Sequence, residues 1–220
     1  MAAFQLLIAN KNYSSWSFRP WLLLKKLGIP FEETLVLLKS EDFSKQVQQF
    51  SPAGKVPVLV DGDVAVWDSL AIMEYVAEEY PQAWPKEREA RALARSICAE
   101  MHSGFMGVRS QLPMNCRAEG RQVAVDEACL KDIERIQAIW TECRLRFGQS
   151  GPWLFGEFSI ADAMFAPVAF RFHSYGIECH GEAGIYLNTV LEDESVNLWR
   201  HAAMEEKATI MSYEVGLTAQ

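Results

Sequence analysis

The chain has 220 residues, a length that suits one large domain or two small ones around a sizeable buried core. Half of the residues are hydrophobic and the mean hydropathy is −0.05, as in ordinary globular proteins. The net charge of −8 and the pI near 5.1 disfavour nucleic acid and anionic membrane surfaces as partners. We therefore expect no nucleic-acid partner and no membrane partner.

Targeting and metal-binding signals are weak. The N-terminal MAAFQLLIAN has no basic segment, and the longest apolar run, AMFAPVAF at 163–170, is far shorter than a membrane span. The five cysteines are scattered without a CxxC pair, which favours reduced thiols and a cytoplasmic location. The four histidines form no HxxxH or HExxH pattern, so we expect no metal site.

The first 80 residues alternate between strand and helix patterns. FQLLIA (4–9) predicts a buried strand. The apolar residues from Trp16 to Leu27 recur at near-helical spacing and predict a helix that ends at Gly28. Pro20 is expected in the first turn of this helix. A second strand is predicted within 29–38, and residues 41–50 are weakly helical. PVLVDGDVAVW (57–67) predicts a hairpin and SLAIMEYVAEEY (69–80) a helix, giving β-α-β-α-β-β-α.

A proline-rich, charged stretch at 81–89 then separates this unit from a region that is helical throughout. One apolar stripe runs from Ala90 to Val108 and is expected on one helix, and another runs from Cys129 to Phe147. The fold class is therefore α+β, with a small mixed-sheet unit followed by an all-α helical bundle. We place the domains at 1–81 and 88–220, joined by a linker at 82–87.

Three motifs in this arrangement resemble the cytosolic glutathione S-transferase family. SPAGKVPVLVDGDVAVWDSLAIMEYVAEEYP (51–81) is similar to the family's strand–strand–helix half, and YSSWSFRPWLLLKKLGIPFEE (13–33) to the serine-type first helix of its zeta- and theta-like classes. FSIADAMFAP (158–167) resembles the family's capping motif of a buried helix, which carries no chemistry. The resemblance spans most of the chain and implies a thioredoxin-like first domain in a bacterial member of the family.

The resemblance implies glutathione as co-substrate and assigns it a set of binding residues. A cis peptide bond before Pro57 would leave the backbone of Val56 free to pair with the tripeptide like an added strand. Asp68 and Ser69 begin a helix and suit the ammonium and carboxylate of the γ-glutamyl end. The implied glutathione-binding residues are Ser14, Lys55, Val56, Asp68 and Ser69.

The catalytic hydroxyl is assigned to Ser14, with Ser15 and Tyr13 left open as alternatives, while Ser17 is expected to cap the first turn. A hydroxyl at this position would donate a hydrogen bond to the glutathione thiolate. Trp16 stands where the zeta-like pattern has cysteine, and the first 97 residues contain no cysteine at all. This departure disfavours reductase chemistry through an enzyme thiol and puts zeta-type isomerisation of maleylacetoacetate in doubt.

The second substrate is expected beside Ser14 on a wall of long apolar side chains and one arginine, with His102 as a weaker candidate. The predicted pocket residues are Trp16, Met101, Phe105, Met106 and Arg109. The predicted function is transfer of glutathione to a small, partly apolar electrophile by a homodimer. Two alternatives stay open: a glutathione-dependent isomerase and a non-catalytic binding module with the transferase fold.

Overall fold

The computed structural model describes residues 4–216, so the first three residues, on which the expectation of no leader partly depends, lie outside it. The strands are β1 (Phe4–Ala9), β2 (Phe31–Val36), β3 (Val58–Asp61) and β4 (Val64–Trp67). The helices are α1 (Ser15–Lys26), α2 (Phe43–Gln48), α3 (Ser69–Glu79), α4 (Arg88–Ser103), α5 (Met106–Gln111), α6 (Glu127–Phe147), α7 (Ile160–Ser174), α8 (Gly181–Glu192) and α9 (Glu194–Glu205). This order confirms the predicted α+β fold class, while the exact domain boundaries stay a prediction.

The sheet has the strand order β2-β1-β3-β4, with β1 parallel to β2 and antiparallel to β3. Because β1 and β3 run in opposite directions, the end of β1 lies beside the start of β3, where Leu7 pairs with Val58. The predicted hairpin is confirmed, with Val60 of β3 paired to Ala65 of β4. The segment after β1 and the segment before β3 therefore meet at one edge of the sheet.

Helix α1 begins earlier than its proline suggested. Ser14 is the N-cap and Pro20 lies in the sixth position of the helix, so the expectation of Pro20 in the first turn is wrong. Proline cannot donate the backbone hydrogen bond to the carbonyl four residues before it, which costs α1 one internal bond near its middle. Gly28, at φ +67°, ends the helix as predicted, and Ile29 N–H donates to Leu24 at 3.0 Å.

The apolar stripe from Ala90 to Val108 belongs to two helices rather than one. The helix α4 ends at Ser103, Phe105 adopts φ +60°, and α5 starts at Met106. A Cβ on Gly104 would approach the Glu100 carbonyl oxygen to 2.8 Å, so glycine permits the sharp break at this point. The break places Met106 and Arg109 on a helix of their own, α5.

One hydrophobic core joins the sheet unit to the helical region, with α1 packed against α7 and α9. The Phe18 ring lies 5.5 Å from Phe170 and 4.9 Å from Trp199, and Trp21 lies 5.0 Å from Trp199, measured between ring centroids. Aromatic pairs at these separations contribute beyond their buried area. The start of α1 is thus held in a fixed position relative to both parts of the chain.

The helix α7 is buried along nearly its whole length and begins with the predicted capping box. Asp162, fully buried at its third position, accepts from the backbone N–H of Ser159 at 2.8 Å and of Leu154 at 3.0 Å. Desolvation raises the pKa of Asp162 to about 6 against the opposing effect of these hydrogen bonds. Within residues 4–216, no helix has both the length and the apolar character required to span a bilayer.

Candidate functional site

A cleft of about 850 Å³ opens where β1 ends, between the sheet unit and the helical region. Eight of the predicted site residues and both alternative hydroxyls line it; seven of the eight are Ser14, Trp16, Lys55, Val56, Asp68, Ser69 and Arg109, and the alternatives are Tyr13 and Ser15. Met106, from the predicted pocket, lines it as well. The volume lies within the range of small-molecule sites. The structure therefore brings most of the residues singled out from the sequence to one cavity.

Ser14 is the N-cap of α1, and its oxygen lies 3.4 Å from the backbone nitrogen of Ser17, whose N–H donates to it. The two hydroxyl oxygens are 2.7 Å apart, and Ser17 also accepts the Ala9 N–H at 3.1 Å. The Ser14 side chain is buried apart from its face on the cleft. This geometry anchors the hydroxyl to both the end of β1 and the first turn of α1.

The two alternative hydroxyls have different partners. Ser15 accepts a hydrogen bond from Nη2 of Arg171 at 3.3 Å. The Tyr13 hydroxyl lies 2.7 Å from a carboxylate oxygen of Glu214 and donates to it. It also accepts from Arg117 at 2.8 Å and from the Ile210 backbone N–H at 3.2 Å. The Tyr13 hydroxyl is therefore hydrogen-bonded to the C-terminal segment and holds that segment beside the cleft.

The segment before β3 forms the opposite wall of the cleft. The Val56–Pro57 peptide bond is cis, as the resemblance implied. The ladder with β1 starts only at Val58, and Val56 takes part in none of the backbone hydrogen bonds formed within residues 4–216. Lys55 is exposed at the mouth of the cleft. Val56 thus lines the cleft with a backbone that is not paired within the sheet.

The start of α3 completes this wall. Asp68 is the N-cap, with φ +78°, and accepts from the N–H groups of Leu70 at 2.9 Å and Ala71 at 3.2 Å. Its second carboxylate oxygen lies 3.2 Å from Nε2 of His102. Ser69 is fully buried, and its hydroxyl has no hydrogen-bond partner among the described residues. A strained backbone and an unsatisfied hydroxyl at one helix N-terminus are typical of a binding position.

The predicted second-substrate pocket divides into two groups. Trp16, Met106 and Arg109 line the cleft, and Met106 is 65% exposed. Met101 and Phe105 are instead buried in the core and are not among the lining residues. They pack inward because both belong to the apolar face of the α4–α5 segment. Both keep a link to the cleft through Arg109, since the Met101 carbonyl accepts from its guanidinium and the Phe105 carbonyl accepts from its backbone N–H at 3.0 Å.

The sequence reasoning missed two arginines and one tyrosine near the cleft. Arg171 and Tyr213 line it, and Arg19 lies directly behind Trp16 with its guanidinium carbon 4.3 Å from a ring centroid of that indole. A lone arginine within the apolar run of α7 was the available signal for Arg171. Tyr213 had no signal, because its position depends on the way the C-terminal segment folds back over Tyr13.

None of the five cysteines is among the residues that line the cleft. All five are free thiols, and four of them are buried. Burial raises the pKa of Cys143 to about 12 and that of Cys129 to about 11, and it also raises the pKa of Cys98 well above its usual value. A thiol with such a pKa is protonated at neutral pH and is a poor nucleophile.

Comparison with known proteins agrees with this geometry. The family model for the glutathione S-transferase N-terminal domain matches residues 13–79, and the model for the C-terminal domain matches residues 116–203. Glutathione S-transferase 1 of Dianthus caryophyllus is 30% identical over 161 residues, which cover 71% of this chain and 72% of the relative. The chain belongs to the glutathione S-transferase family.

Other relatives extend the match to zeta-type proteins and to a ligand-bound structure. Glutathione S-transferase Z1 of Arabidopsis thaliana is 28% identical over 169 residues, covering 71% of this chain and 74% of that protein. A glutathione transferase homolog from Burkholderia gl BGR1, solved with bound glutathione, superposes with a TM-score of 0.71 at 25% identity. That match covers 93% of this chain and the whole of the other. The prediction of a glutathione S-transferase enzyme is confirmed by these relatives.

Proposed function

We propose that this transferase stabilises the thiolate of bound glutathione with the Ser14 hydroxyl and transfers it to a small, partly apolar electrophile. The thiolate sulfur would form the new bond to carbon. In a substitution the leaving group departs with its electron pair, and in an addition the neighbouring carbon takes up a proton. The position of Ser14 on the cleft at the start of α1 is the observation that carries the proposal.

In the structure the Ser14 hydroxyl donates to Ser17 Oγ at 2.7 Å, and reversal of this bond would free the Ser14 proton for a bound thiolate. A hydroxyl pair can donate in either direction. When Ser17 Oγ–H donates to Ser14, the Ser17 oxygen still accepts the Ala9 N–H, and the Ser14 oxygen also accepts the Ser17 N–H. The proton of Ser14 then points away from this chain of hydrogen bonds, toward the cleft. A thiolate held there would accept it, and the N-terminus of α1 would favour the same negative charge.

The surroundings favour Ser14 over the two alternatives. The Tyr13 hydroxyl already donates to Glu214 and accepts two hydrogen bonds, so its proton is committed. Ser15 is the first helical residue and faces Arg171. Ser14, as the cap residue, precedes the helix and lines the cleft. We therefore assign to Ser14 the hydrogen bond that stabilises the glutathione thiolate.

The remaining wall would hold the tripeptide along its length. The free edge of Val56 would pair with the cysteinyl backbone of glutathione. The N–H and hydroxyl of Ser69 would bind the γ-glutamyl carboxylate, and the Asp68 carboxylate would hold the ammonium. Lys55 at the mouth would attract an anionic end of the tripeptide. We further propose a cytoplasmic homodimer that needs no metal.

Two assays test the proposal as a whole. The purified protein is expected to be retained on immobilised glutathione and to conjugate glutathione to 1-chloro-2,4-dinitrobenzene above the uncatalysed rate. Retention without conjugation would favour the non-catalytic binding module. Conversion of a cis-alkene substrate to its trans isomer, with glutathione regenerated, would instead favour the isomerase.

Ser69→Ala should raise the Kd for glutathione roughly tenfold or more, since a hydrogen bond to a charged group contributes about 1.5–3 kcal/mol. The free protein should not lose stability, because the Ser69 hydroxyl has no hydrogen-bond partner within residues 4–216. Calorimetric titration measures the affinity and thermal unfolding measures the stability. A Kd equal to that of the wild type would remove Ser69 from the site.

Asp68→Asn should weaken glutathione binding while it keeps α3 capped, because an amide oxygen can still accept from Leu70 and Ala71. Asp68→Ala loses the cap as well and should also cost about 1 kcal/mol of stability. At saturating glutathione both variants should keep most of the wild-type kcat, because the γ-glutamyl end lies far from the sulfur. A large fall in kcat with unchanged affinity would contradict this role.

A variant with all five cysteines replaced by alanine should keep transferase activity per folded molecule. The attacking sulfur belongs to glutathione, and the buried enzyme thiols are protonated at neutral pH. The replacements are expected to lower the free energy of unfolding by up to a few kcal/mol through lost packing at Cys98 and Cys143. A folded, glutathione-binding variant without turnover would point to an essential cysteine.

A further inference from the structure

Three arginines converge beside the cleft, on the side of the helical region. Arg109 and Arg171 line the cavity, and Arg19 lies behind Trp16 with its side chain almost fully buried. The Arg109 guanidinium carbon also lies 4.8 Å from the centroid of a Trp16 ring. The indole therefore contacts two guanidinium groups, and the third guanidinium belongs to α7.

This arginine cluster (Arg19, Arg109 and Arg171) has no counter-ion in the part of the chain that the structure describes. None of the three takes part in the ion pairs found among residues 4–216. The nearby acids are otherwise engaged: Asp68 pairs with His102, and Asp132 accepts the N–H of Val108 at 3.2 Å. Buried charges are ordinarily paired, because an isolated one costs several kcal/mol.

Hydrogen bonding leaves much of the cluster unsatisfied. Arg19 has buried Nε and Nη1 atoms without partners in residues 4–216. Arg109 donates through Nε to Gly104 at 2.8 Å and through Nη2 to Met101, which leaves its Nη1 without a hydrogen bond to the described residues. Arg171 donates to the Leu112 carbonyl and to Ser15. Arg109 lines the cleft, so an acceptor carried by a ligand could bind its remaining donor, and buried donors without acceptors such as those of Arg19 are uncommon in native proteins.

Guanidinium side chains keep their positive charge in proteins. Burial and the repulsion from Arg109 lower the pKa of Arg171 to about 10, which still leaves it protonated. Desolvation, followed by the charges of Arg109 and Arg171, lowers the pKa of Arg19. A negative ligand would oppose both effects, because an opposite charge favours the protonated form of each group. In a chain with a net charge of −8, this local excess of positive charge is a specific feature of the cleft.

We propose that the arginine cluster is a subsite for a carboxylate carried by the electrophilic substrate, with Arg109 and Arg171 as the contacting residues and Arg19 as a supporting charge behind Trp16. A guanidinium offers two parallel N–H groups that match a carboxylate in the plane, and the Trp16 ring provides an apolar face for the rest of the molecule. The proposal rests on the proposed function, because it names the class of its second substrate: a small apolar electrophile with one carboxylate.

A pair of glutathione thioethers tests this subsite without any turnover. One carries a 4-carboxy-2,6-dinitrophenyl group on sulfur and the other the matching 4-carbamoyl group, so only the charge of the second-substrate part differs. In calorimetric titrations the wild type should bind the carboxylate thioether at least tenfold more tightly. Arg109→Gln should lower this ratio at least fivefold, and Arg109→Lys should keep part of it. The control Arg88→Gln removes the same charge from an exposed position and should leave the ratio unchanged.

Other outcomes would overturn the subsite. Equal affinity of the wild type for the two thioethers would contradict it, and this readout needs no variant to fold. An equal loss of affinity for both thioethers in Arg109→Gln, together with weaker binding of glutathione alone, would show that the arginines hold a carboxylate of glutathione itself. A preserved ratio in a protein that conjugates no electrophile would support the subsite while the proposed transferase reaction fails.

Discussion

Ser14→Ala is expected to lower kcat/KM for conjugation roughly 10- to 150-fold at neutral pH, because a hydrogen bond to a charged acceptor contributes about 1.5–3 kcal/mol. The free cysteine thiol has a pKa near 8.5, and lowering it by ~2 units requires about 2.7 kcal/mol of preferential thiolate stabilisation. One hydroxyl and the N-terminus of α1, which adds about 0.3–1 kcal/mol, can supply that amount. The affinity for glutathione should change less than the rate, since the other contacts remain.

Matched variants separate the role in catalysis from the role as helix cap. Ser14→Thr keeps both the hydroxyl and the cap acceptor, so it should retain most of the activity. Ser14→Ala also loses the cap of α1, which is expected to cost about 1 kcal/mol of stability, and unfolding must be measured alongside the rate. Ser15→Ala and Tyr13→Phe should reduce the rate much less. Wild-type kinetics in Ser14→Ala together with a large loss in Ser15→Ala would move the catalytic hydroxyl by one residue.

The second large effect concerns stability. Asp162→Ala is expected to lower the free energy of unfolding by roughly 3–5 kcal/mol, because it leaves the buried N–H groups of Leu154 and Ser159 without their acceptor. Since α7 also carries Arg171 beneath the cleft, loosening its first turn should weaken substrate binding as well. Urea unfolding followed by circular dichroism measures the change.

Asp162→Asn is the matched control, and its free energy of unfolding should differ from that of the wild type by an amount that depends on pH. The pKa of Asp162 is raised to about 6 in the folded state, against 3.8 for an unperturbed aspartate in the unfolded chain. The folded protein therefore binds this proton more tightly than the unfolded chain does. The contribution of this group to stability is fully present below pH 4 and is lost as the pH rises through 6. The wild-type free energy of unfolding minus that of Asp162→Asn should therefore fall between pH 4 and 6. A difference independent of pH would contradict the raised pKa.

The secondary structure could be predicted well wherever a local signal was strong. Asp61-Gly62 marked the hairpin, Gly28 marked the end of α1, and the Ser159–Asp162 spacing marked the start of α7. The errors lie where two local signals compete. Pro20 was placed in the first turn because proline opposes a helix interior, but capping by Ser14 starts α1 five residues earlier. The apolar spacing from Ala90 to Val108 continues across the α4–α5 break, so the spacing alone did not reveal the break.

The glutathione half of the candidate site was more predictable than the half for the second substrate. Ser14, Val56 and Asp68 occupy helix and strand starts whose identity depends on local sequence. The arginine cluster depends on tertiary packing, because α1, α5 and α7 bring its members together from three distant parts of the chain. The positions of Met101 and Phe105 follow the same rule, since periodicity alone does not tell which apolar face meets the core.

The most direct measurement of the central claim is the ionisation of the glutathione thiol in the binary complex. Thiolate absorbance in the ultraviolet, recorded across pH with glutathione bound, gives the thiol pKa in the wild type and in Ser14→Ala. The wild-type complex should show a pKa about 2 units below the free value near 8.5, and Ser14→Ala should raise it by about 1–2 units. An identical thiol pKa in the two complexes would contradict the claim that Ser14 stabilises the glutathione thiolate.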